Sequence, residues 1–373
     1  MEHTIREPLH LDSESFRDLL QASSEDLKIP VQLIEKDYYI SAILRSLSKS
    51  TYSRQIVFKG GTSLSKAYQL IDRFSEDVDF AVISGDMSGN QVKMLLSKLM
   101  KEVTVGFTED KSFADISKGS KYRKQAFSYD ALVGLDVSVN PIPSRIIVEI
   151  SAFANPFPYE KRTIEPFVTT YLKKQHLEDV ASQYHLEPFE LNVLSLKQTL
   201  CEKTVSLIRF SMSQDPLASL SSKIRHFYDL NALMTIKDLE EYVCGVEFVR
   251  DVETLVKHDQ AAFDDPFGWK GLKDLTQSPL VLDFEKLWEA LTPRYEENLS
   301  AIAYREIPSS ERVKASFLKI LDSLRTINLT KKVADKVIYY RKSSKLILSQ
   351  FRLGYNHSAR YFSIVLMSLS ERF

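Results

Sequence analysis

The spacing of apolar residues changes several times along the first 155 positions. Leu33, Ile40 and Leu47 recur at helical intervals behind Pro30, a residue that suits the first turn of a helix. Short runs of apolar and β-branched residues elsewhere predict strands. We predict helices from Phe16 (after the cap-like Ser13-Glu14-Ser15) and over Pro30–Leu47, Thr62–Ile71 and Asn90–Lys101, strands over Gln55–Phe58, Val78–Ile83, Gln125–Val133 and Arg145–Ala152, and a loop over Asp110–Lys124.

Strand signals fade beyond about Asn155, and helical spacing takes over. The predicted helices there lie over Phe189–Phe210, Leu220–Met234 and Ile236–Val256, with long helical periodicity from Arg312 to Arg352. This order predicts the α+β class. We expect an α+β catalytic domain over residues 1–155, followed by an all-helical domain over residues 156–373.

Composition indicates an ordinary soluble protein. Of 373 residues, 44% are hydrophobic and 27% are charged, and the net charge is −1. No apolar run approaches membrane-spanning length and the N-terminus lacks the apolar core of a signal peptide, so we expect no membrane contact and a cytoplasmic location. Cys201 and Cys244 form neither a disulfide framework nor a zinc pattern, and we expect both thiols to be buried.

Charge is unevenly distributed in the last third of the chain. Residues 231–304 contain 7 Lys/Arg and 15 Asp/Glu, whereas residues 305–373 contain 14 Lys/Arg and 5 Asp/Glu. The basic stretch predicts either a surface that attracts a polyanion or a helical face that neutralises the acidic stretch inside the fold. Tyr339, Tyr340 and Phe351 lie among these basic residues, where they are able to stack on bases.

Gly60-Gly61 follows a predicted buried strand. Two glycines let the backbone turn sharply and approach another group without interference from a Cβ atom. The amides of Gly61, Thr62 and Ser63 then lie at a helix N-terminus, where a phosphate is favoured. The Walker and Rossmann glycine patterns are absent, so the glycines alone favour a plain turn.

Asp77-Val78-Asp79 lies at the start of the next predicted strand. Residues two apart on a strand face the same side, so the two carboxylates point toward one spot. Such a pair repels unless protons or a cation neutralise it, and Mg²⁺ shared with substrate phosphates is the usual solution. Together with the glycine turn, the pair indicates phosphoryl or nucleotidyl transfer.

A two-metal site usually needs a third acidic ligand from a neighbouring strand. Glu149 lies inside the apolar run RIIVEISA, where a carboxylate is costly unless it is paired or coordinated. We predict Glu149 as this ligand. Asp136 is the competitor, and a structural salt bridge is the alternative interpretation of Glu149.

KGGTSLSKAY followed by DRFSEDVDF resembles the signature of the AbiEii/AbiGii toxin family of nucleotidyltransferases. This family has a DNA polymerase β-like catalytic core and includes toxins of AbiE-type and MenT-like toxin–antitoxin systems. Three further segments are similar to its helical motifs. They are IEKDYYISAIL (Ile34–Leu44), LKQTLCEKTVSLIRF (Leu196–Phe210) and KIRHFYDLNAL (Lys223–Leu233).

The resemblance implies a role for each matching residue. The phosphates of an NTP would be held by Gly60, Gly61, Thr62 and Ser63, and the metal by Asp77 and Asp79. Lys203 would contact the triphosphate, and Asp229 would complete the site. Lys59 and Lys66, which flank the turn, are further candidates for nucleotide binding. Two of these roles have plain alternatives. Lys203 also fits a surface lysine, and Asp229 also fits a helix salt bridge to Arg225. His226 departs from the family, which often has Asp at that position. Arg73 and Ser75 are expected to brace the strand, and contact with a phosphate is the alternative for Arg73.

The resemblance implies a Mg²⁺-dependent nucleotidyltransferase toxin, with Mn²⁺ as an alternative ion and a cognate antitoxin encoded nearby. The acceptor implied by the MenT-like branch is the 3′ end of tRNA, and the outcome is arrested translation. Lys331, Lys332, Lys336, Arg341, Lys342, Lys345, Arg352 and Arg360 are candidates for holding RNA phosphates. A toxin or regulator that binds GTP or ATP without transfer, and transfer of NMP onto protein hydroxyls, are the rival hypotheses.

Overall fold

The computed structural model describes residues 7–75, 77–132 and 143–326, and within them the strands form one mixed sheet. The strands are β1 (Ile56–Lys59), β2 (Asp77–Val82), β3 (Thr108–Glu109), β4 (Ser117–Lys118), β5 (Tyr122–Ser128), β6 (Arg145–Ser151), β7 (Tyr159–Ile164) and β8 (Phe189–Leu194). Their order across the sheet is β3-β5-β6-β2-β1-β8-β7, with β4 paired to β5. The predicted α+β class is confirmed.

Helices cover this sheet and make up most of the chain after it. They are α1 (Ser13–Leu27), α2 (Val31–Lys49), α3 (Gly60–Lys66), α4 (Gly89–Val103), α5 (Phe167–Lys174), α6 (Glu178–Gln183), α7 (Leu196–Ser211), α8 (Pro216–Ser222), α9 (Ile224–Leu233), α10 (Lys237–Val243), α11 (Val246–Ala262), α12 (Pro279–Leu282) and α13 (Phe284–Ile302). No helix in the described ranges has the length and apolar character needed to cross a membrane.

The centre of the sheet is apolar because its strands are covered on both faces. β2 lies between β1, which is antiparallel to it, and β6, which is parallel. Phe58, Val78, Phe80 and Val148 are at most 1% exposed. Burial on both faces explains the nearly continuous apolar runs that predicted these strands.

Four strands lie where the sequence predicted none. Two of them, β3 and β4, are only two residues long, and β4 lies inside the predicted loop Asp110–Lys124. The longer two, β7 and β8, lie beyond residue 155, in the part predicted to be all-helical. β8 falls inside the predicted helix Phe189–Phe210, because its short alternation of apolar and polar residues was included in the following helical pattern of α7. β7 is an edge strand whose side chains are mostly exposed, so no apolar signal marks it. Strand pairing across the sheet, rather than local pattern, determines both elements.

Other local predictions need smaller corrections. The cap of α1 is Asp12, whose side chain accepts a hydrogen bond from the Ser15 amide. Cys201 is buried as predicted, but Cys244 is exposed, so the prediction for that thiol is wrong.

The chain divides into two compact units, Met1–Ile320 and Leu321–Phe373. Residues 310–320 of the first are helical, as are residues 321–326, the described part of the second. The predicted division at residue 155 stays a prediction. Most of the Arg312–Arg352 pattern, the basic and aromatic candidates from Lys331 onward, and Asp136 lie outside the described residues.

An aromatic cluster holds the helices that follow the sheet. Phe227 of α9 lies at the centre of this cluster. Its ring centroid is 5.1 Å from that of Trp288, 4.9 Å from that of Phe317 and 6.2 Å from that of Phe284. All four side chains are at most 2% exposed. The cluster therefore fixes the position of α9, which also carries Asp229 two residues later.

Three consecutive charged residues of α2 are buried, and each has a specific partner. Glu35 accepts a hydrogen bond from the Leu132 amide at 2.5 Å, and Lys36 donates to the Pro143 carbonyl at 2.9 Å. Asp37 lies 2.6 Å from the Lys66 ammonium at the end of α3 and accepts the Phe167 amide at 2.8 Å. Partners of this kind are what allow charges to be buried.

Replacing Lys66 with Met is expected to destabilise the fold, because it leaves Asp37 buried without its cation. We expect the free energy of unfolding to fall by about 3 kcal/mol or more. The matched control is Lys174→Met, which breaks the exposed pair with Asp26 and should cost less than about 1 kcal/mol. Denaturant titration measures both changes, and equal small losses would contradict a structural role for the Asp37–Lys66 pair.

Candidate active site

The pairing of three strands puts charged residues side by side at one end of the sheet. Asp79 of β2 is the register partner of Lys59 on β1 and of Glu149 on β6. Side chains in register on neighbouring strands share a face, and Asp77 shares it because it is two residues from Asp79. Asp77, Asp79 and Glu149, here called the acidic cluster, therefore lie together as the sequence predicted.

The glycine turn touches the acidic cluster directly. Gly60 has a φ of +80°, and a Cβ atom there would lie 1.9 Å from Oδ2 of Asp79. A Cβ atom on Gly61 would lie 2.7 Å from the Arg73 guanidinium. Only glycine fits the first position, both for its backbone conformation and for the close approach of the carboxylate. The turn and the acidic pair are thus two sides of one site.

The acidic cluster is electrostatically strained in the absence of a cation. Burial, followed by the charges of Glu149 and Asp77, raises the pKa of Asp79 to about 8, although Lys59 and Lys203 oppose the shift. A carboxyl group with such a pKa is largely protonated at neutral pH. A bound cation would replace that proton.

Glu149 is already bonded to protein groups. Its carboxylate accepts a hydrogen bond from the Tyr122 hydroxyl at 2.7 Å and lies 2.9 Å from the Lys124 ammonium, which also contacts Asp115. Glu149 therefore has the salt bridge of the structural interpretation. It also lies next to Asp79, where the metal-ligand interpretation requires it. Its rival, Asp136, lies outside the described residues.

Within the described ranges, no three His, Cys, Asp or Glu side chains are already arranged as ligands around one point. Mg²⁺ bound with a nucleotide usually takes only one or two carboxylates and completes its shell with substrate phosphates and water. Asp77 and Asp79, with the raised pKa of the latter, fit that donor set.

Asp229 is the anion at the centre of a second, fully buried network. It is 0% exposed and accepts hydrogen bonds from Arg73 at 2.7 and 2.6 Å, while the Lys203 ammonium lies 2.7 Å away. Burial alone would raise the pKa of Asp229, but the two cations hold it well below its ordinary value. Its partners are thus Arg73 and Lys203 rather than Arg225. Arg73 also donates to the Phe74 carbonyl at 3.0 Å, while its expected role in bracing β2 stays a prediction.

Several predicted nucleotide-binding side chains are directed into the protein. The Thr62 hydroxyl donates to the Asp77 carbonyl, and the Ser63 hydroxyl donates to the Gly60 carbonyl at 2.8 Å. Lys66 is bonded to Asp37 and does not line the cleft. Lys59 does line it, with its ammonium 2.6 Å from Glu202 of α7. The turn therefore offers a ligand mainly its main chain.

A cleft of about 350 Å³ opens over the acidic cluster and extends along α7. At its far end the Phe153 and Phe263 rings meet edge to face at 5.0 Å, and the Arg209 guanidinium lies 4.0 Å from the Phe263 ring centroid. Arg209 also approaches Asp259 at 3.3 Å. The cleft thus has a charged end at the sheet and an aromatic end between α7 and α11.

Sequence reasoning missed Glu202, Arg209, Lys223, Phe153 and Phe263 as cleft residues. One signal was available for α7, because Thr199, Glu202, Lys203, Ser206 and Arg209 follow each other at helical spacing and therefore share a face. The aromatic pair joins segments about a hundred residues apart. No local pattern reports that contact.

Comparison with known proteins adds an independent finding. The family model for the AbiEii nucleotidyl transferase toxin of type IV toxin–antitoxin systems matches residues 42–316. Among solved structures, the chain is similar to MenT4, a nucleotidyltransferase toxin from Mycobacterium tuberculosis, with 17% identity, a TM-score of 0.40 and coverage of 78% of this chain and 88% of that chain. No functionally curated protein matched the sequence.

Replacing Asp79 with Asn removes a carboxyl group that the folded protein prefers to keep protonated. An acid whose pKa is raised by folding adds stability below its unfolded value and loses it as pH rises through the folded value, here about 8. In metal-free buffer we therefore expect Asp79→Asn to gain stability relative to the wild type as pH rises from about 5 to about 8.5.

Denaturant titration with a chelator present measures this difference. Asp86→Asn, at an exposed position beyond β2, controls for the loss of one negative charge. A stability difference for Asp79→Asn that does not change over this pH range would contradict the electrostatic account of the acidic cluster.

Proposed function

Because the chain belongs to the AbiEii family of nucleotidyltransferase toxins, which act in type IV toxin–antitoxin systems, we propose that its cleft transfers NMP from an NTP to the 3′ end of tRNA with Mg²⁺ as the metal. As a family member, the protein is a nucleotidyltransferase enzyme with NTP as substrate and a cognate antitoxin as partner. The observation that carries the proposal is the contact between the Gly60 turn and Asp79 at the mouth of the cleft.

Asp77 and Asp79 would hold the metal, and Glu149 would complete the cluster once a cation competes with Lys124 for its carboxylate. The ion, Mg²⁺ or alternatively Mn²⁺, would neutralise charge that develops on the α-phosphoryl group and orient it for in-line attack. Burial of the carboxylates in a cleft strengthens their attraction for the ion. One carboxylate would also assist the approach of the acceptor hydroxyl.

The NTP phosphates would lie against the turn. Gly61, Thr62 and Ser63 belong to the first turn of α3, where amides have no carbonyl partner within the helix. The absence of a Cβ atom at Gly60 and Gly61 allows phosphate oxygens to approach the main chain. Lys59, paired with Glu202, and Lys203, paired with the buried Asp229, both line the cleft and add positive charge near Asp79.

Asp229 would act as a positioning residue. It is too deeply buried to meet the substrate, but it fixes Lys203 and Arg73 beside the acidic cluster. The charged end of the cleft therefore holds cations in defined places before substrate arrives. Preorganised charge of this kind stabilises a transition state without reorganisation at the moment of reaction.

The choice of tRNA rests on the family resemblance and on the basic character of residues 305–373. Fourteen Lys/Arg against five Asp/Glu would attract the phosphate backbone of an RNA. Most of this stretch lies outside the described residues, so the proposal for the acceptor depends on charge rather than on geometry.

Replacing Asp77 with Asn should abolish transfer, because it removes one of two convergent carboxylates while keeping the size of the side chain. Purified protein is incubated with each NTP labelled at the α-phosphate, Mg²⁺ and total RNA. We expect label in tRNA from the wild type and from Asp86→Asn, and a loss of at least about 100-fold in Asp77→Asn.

The same experiment distinguishes the rival functions. Label in protein instead of RNA would support transfer onto protein hydroxyls. NTP binding without any labelled product would contradict transfer and would support a nucleotide-binding toxin or regulator.

A further inference from the structure

The basic side chains that line the cleft fall into two groups. In the first group each cation already has an anionic partner: Arg73 and Lys203 share Asp229, Lys59 is paired with Glu202, and Arg209 is near Asp259. A cation with a bonded carboxylate offers a ligand only part of its charge. The cations nominated by sequence resemblance therefore do not supply most of the free positive charge of this cleft.

Lys223 and Arg225 form the second group. Both line the cleft, and neither has a carboxylate oxygen within 4.0 Å in the described part of the chain. The Lys223 ammonium instead lies 4.6 Å from the centroid of the Phe210 ring. Burial lowers the pKa of Lys223; the charge of Glu149 opposes this shift, and the charge of Arg225 adds to it.

The position of Lys223 and Arg225 in the fold is unusual for positively charged residues. Lys223 precedes α9 and Arg225 lies in its first turn, where the helix macrodipole disfavours cations. Local departures from such rules are expected at functional sites. Asp229 lies four to six residues further along α9, so the two cations are about 6–9 Å from the Asp229 network along the helix axis. They extend the positive charge of Lys203 and Arg73 outward along the cleft.

We propose that Lys223 and Arg225 bind the β- and γ-phosphates of the NTP and hold the pyrophosphate as it leaves. The inference rests on the proposed function, and it assigns the leaving-group site to residues other than Lys59, Lys66 and Lys203. Two adjacent cations that are not bonded to a carboxylate in the described part of the chain match a ligand with several negative charges. Arg225 is suited to two parallel hydrogen bonds to phosphate oxygens, and Lys223 acts as a point charge.

The chemistry of the step gives these cations a catalytic advantage. A bond forms between the acceptor oxygen and the α-phosphorus, and the bond from the α-phosphorus to the oxygen that bridges to the β-phosphate breaks. Pyrophosphate leaves with the bonding electron pair, and the acceptor proton passes to a carboxylate or to water. Negative charge on the leaving group therefore grows during the step, so Lys223 and Arg225 stabilise the transition state more than the bound NTP.

The direct test measures binding of inorganic pyrophosphate, with Mg²⁺ present, by calorimetry on the full chain. We compare the wild type with Lys223→Met, Arg225→Gln and the double variant, and with Lys197→Met as the matched control. Lys197 is exposed on α7 and does not line the cleft. We expect about 10-fold weaker binding for each single variant and a larger loss for the double variant.

A second measurement separates this role from a structural one. Affinity for NTPs should fall with that for pyrophosphate, whereas affinity for the matching NMPs, which lack the β- and γ-phosphates, should stay within about twofold of the wild type. Lys223→Gln repeats the test if Lys223→Met fails to fold. Equal losses for NMP and NTP would overturn the assignment.

Two other outcomes would count against the assignment of Lys223 and Arg225 to the leaving-group site. Wild-type pyrophosphate affinity in the double variant would overturn the proposal, and so would a loss of RNA binding with pyrophosphate binding intact. Because pyrophosphate binding is measured without turnover, the result does not depend on whether transfer to RNA is observed. A positive result here with no transfer would contradict the proposed function alone.

Discussion

The contact between Gly60 and Asp79 is the constraint on which the site depends. A side chain at residue 60 would collide with the carboxylate, so the turn after β1 reaches β2 only because residue 60 is glycine. That approach places the main chain of the turn beside a carboxyl group whose pKa is already raised by burial and by its acidic neighbours. The main-chain turn proposed to bind phosphate and the pair of carboxylates proposed to bind metal become one site through this single contact.

Two buried ion-pair networks hold the elements around the site in place. Asp37 of α2 bonds Lys66 at the end of α3 and so fixes the helix that follows the glycine turn. Asp229 of α9 bonds Arg73 and Lys203 and so fixes two cations that line the cleft. The aromatic cluster around Phe227 holds α9 itself. The helices that follow the sheet therefore position charges of the cleft that the sheet alone would lack.

Sequence alone located the residues whose relation is local. The glycine turn and Asp77–Asp79 lie within twenty residues, and strand periodicity determines that the two carboxylates share a face. Glu149 stood out because a carboxylate in an apolar strand needs a partner. The local pattern does not predict that the Lys66 side chain bonds Asp37 instead of lining the cleft, because this depends on how α2 packs beside α3. Glu202 lies on α7, Lys223 lies directly before α9 and Phe263 directly after α11. The placement of these helices over the sheet is a tertiary property. β7 is a polar edge strand that only its pairing with β8 defines.

The most direct test of the account is a crystal structure of the protein with Mn²⁺ and an NTP analogue whose α,β-bridging oxygen is replaced by methylene. Anomalous scattering identifies the position of the ion without reference to the protein model. The account predicts an Mn²⁺ peak bound by Asp77 and Asp79, with the triphosphate against Gly60 and Gly61. Ion and triphosphate found together at another place on the chain, with these carboxylates free, would contradict it.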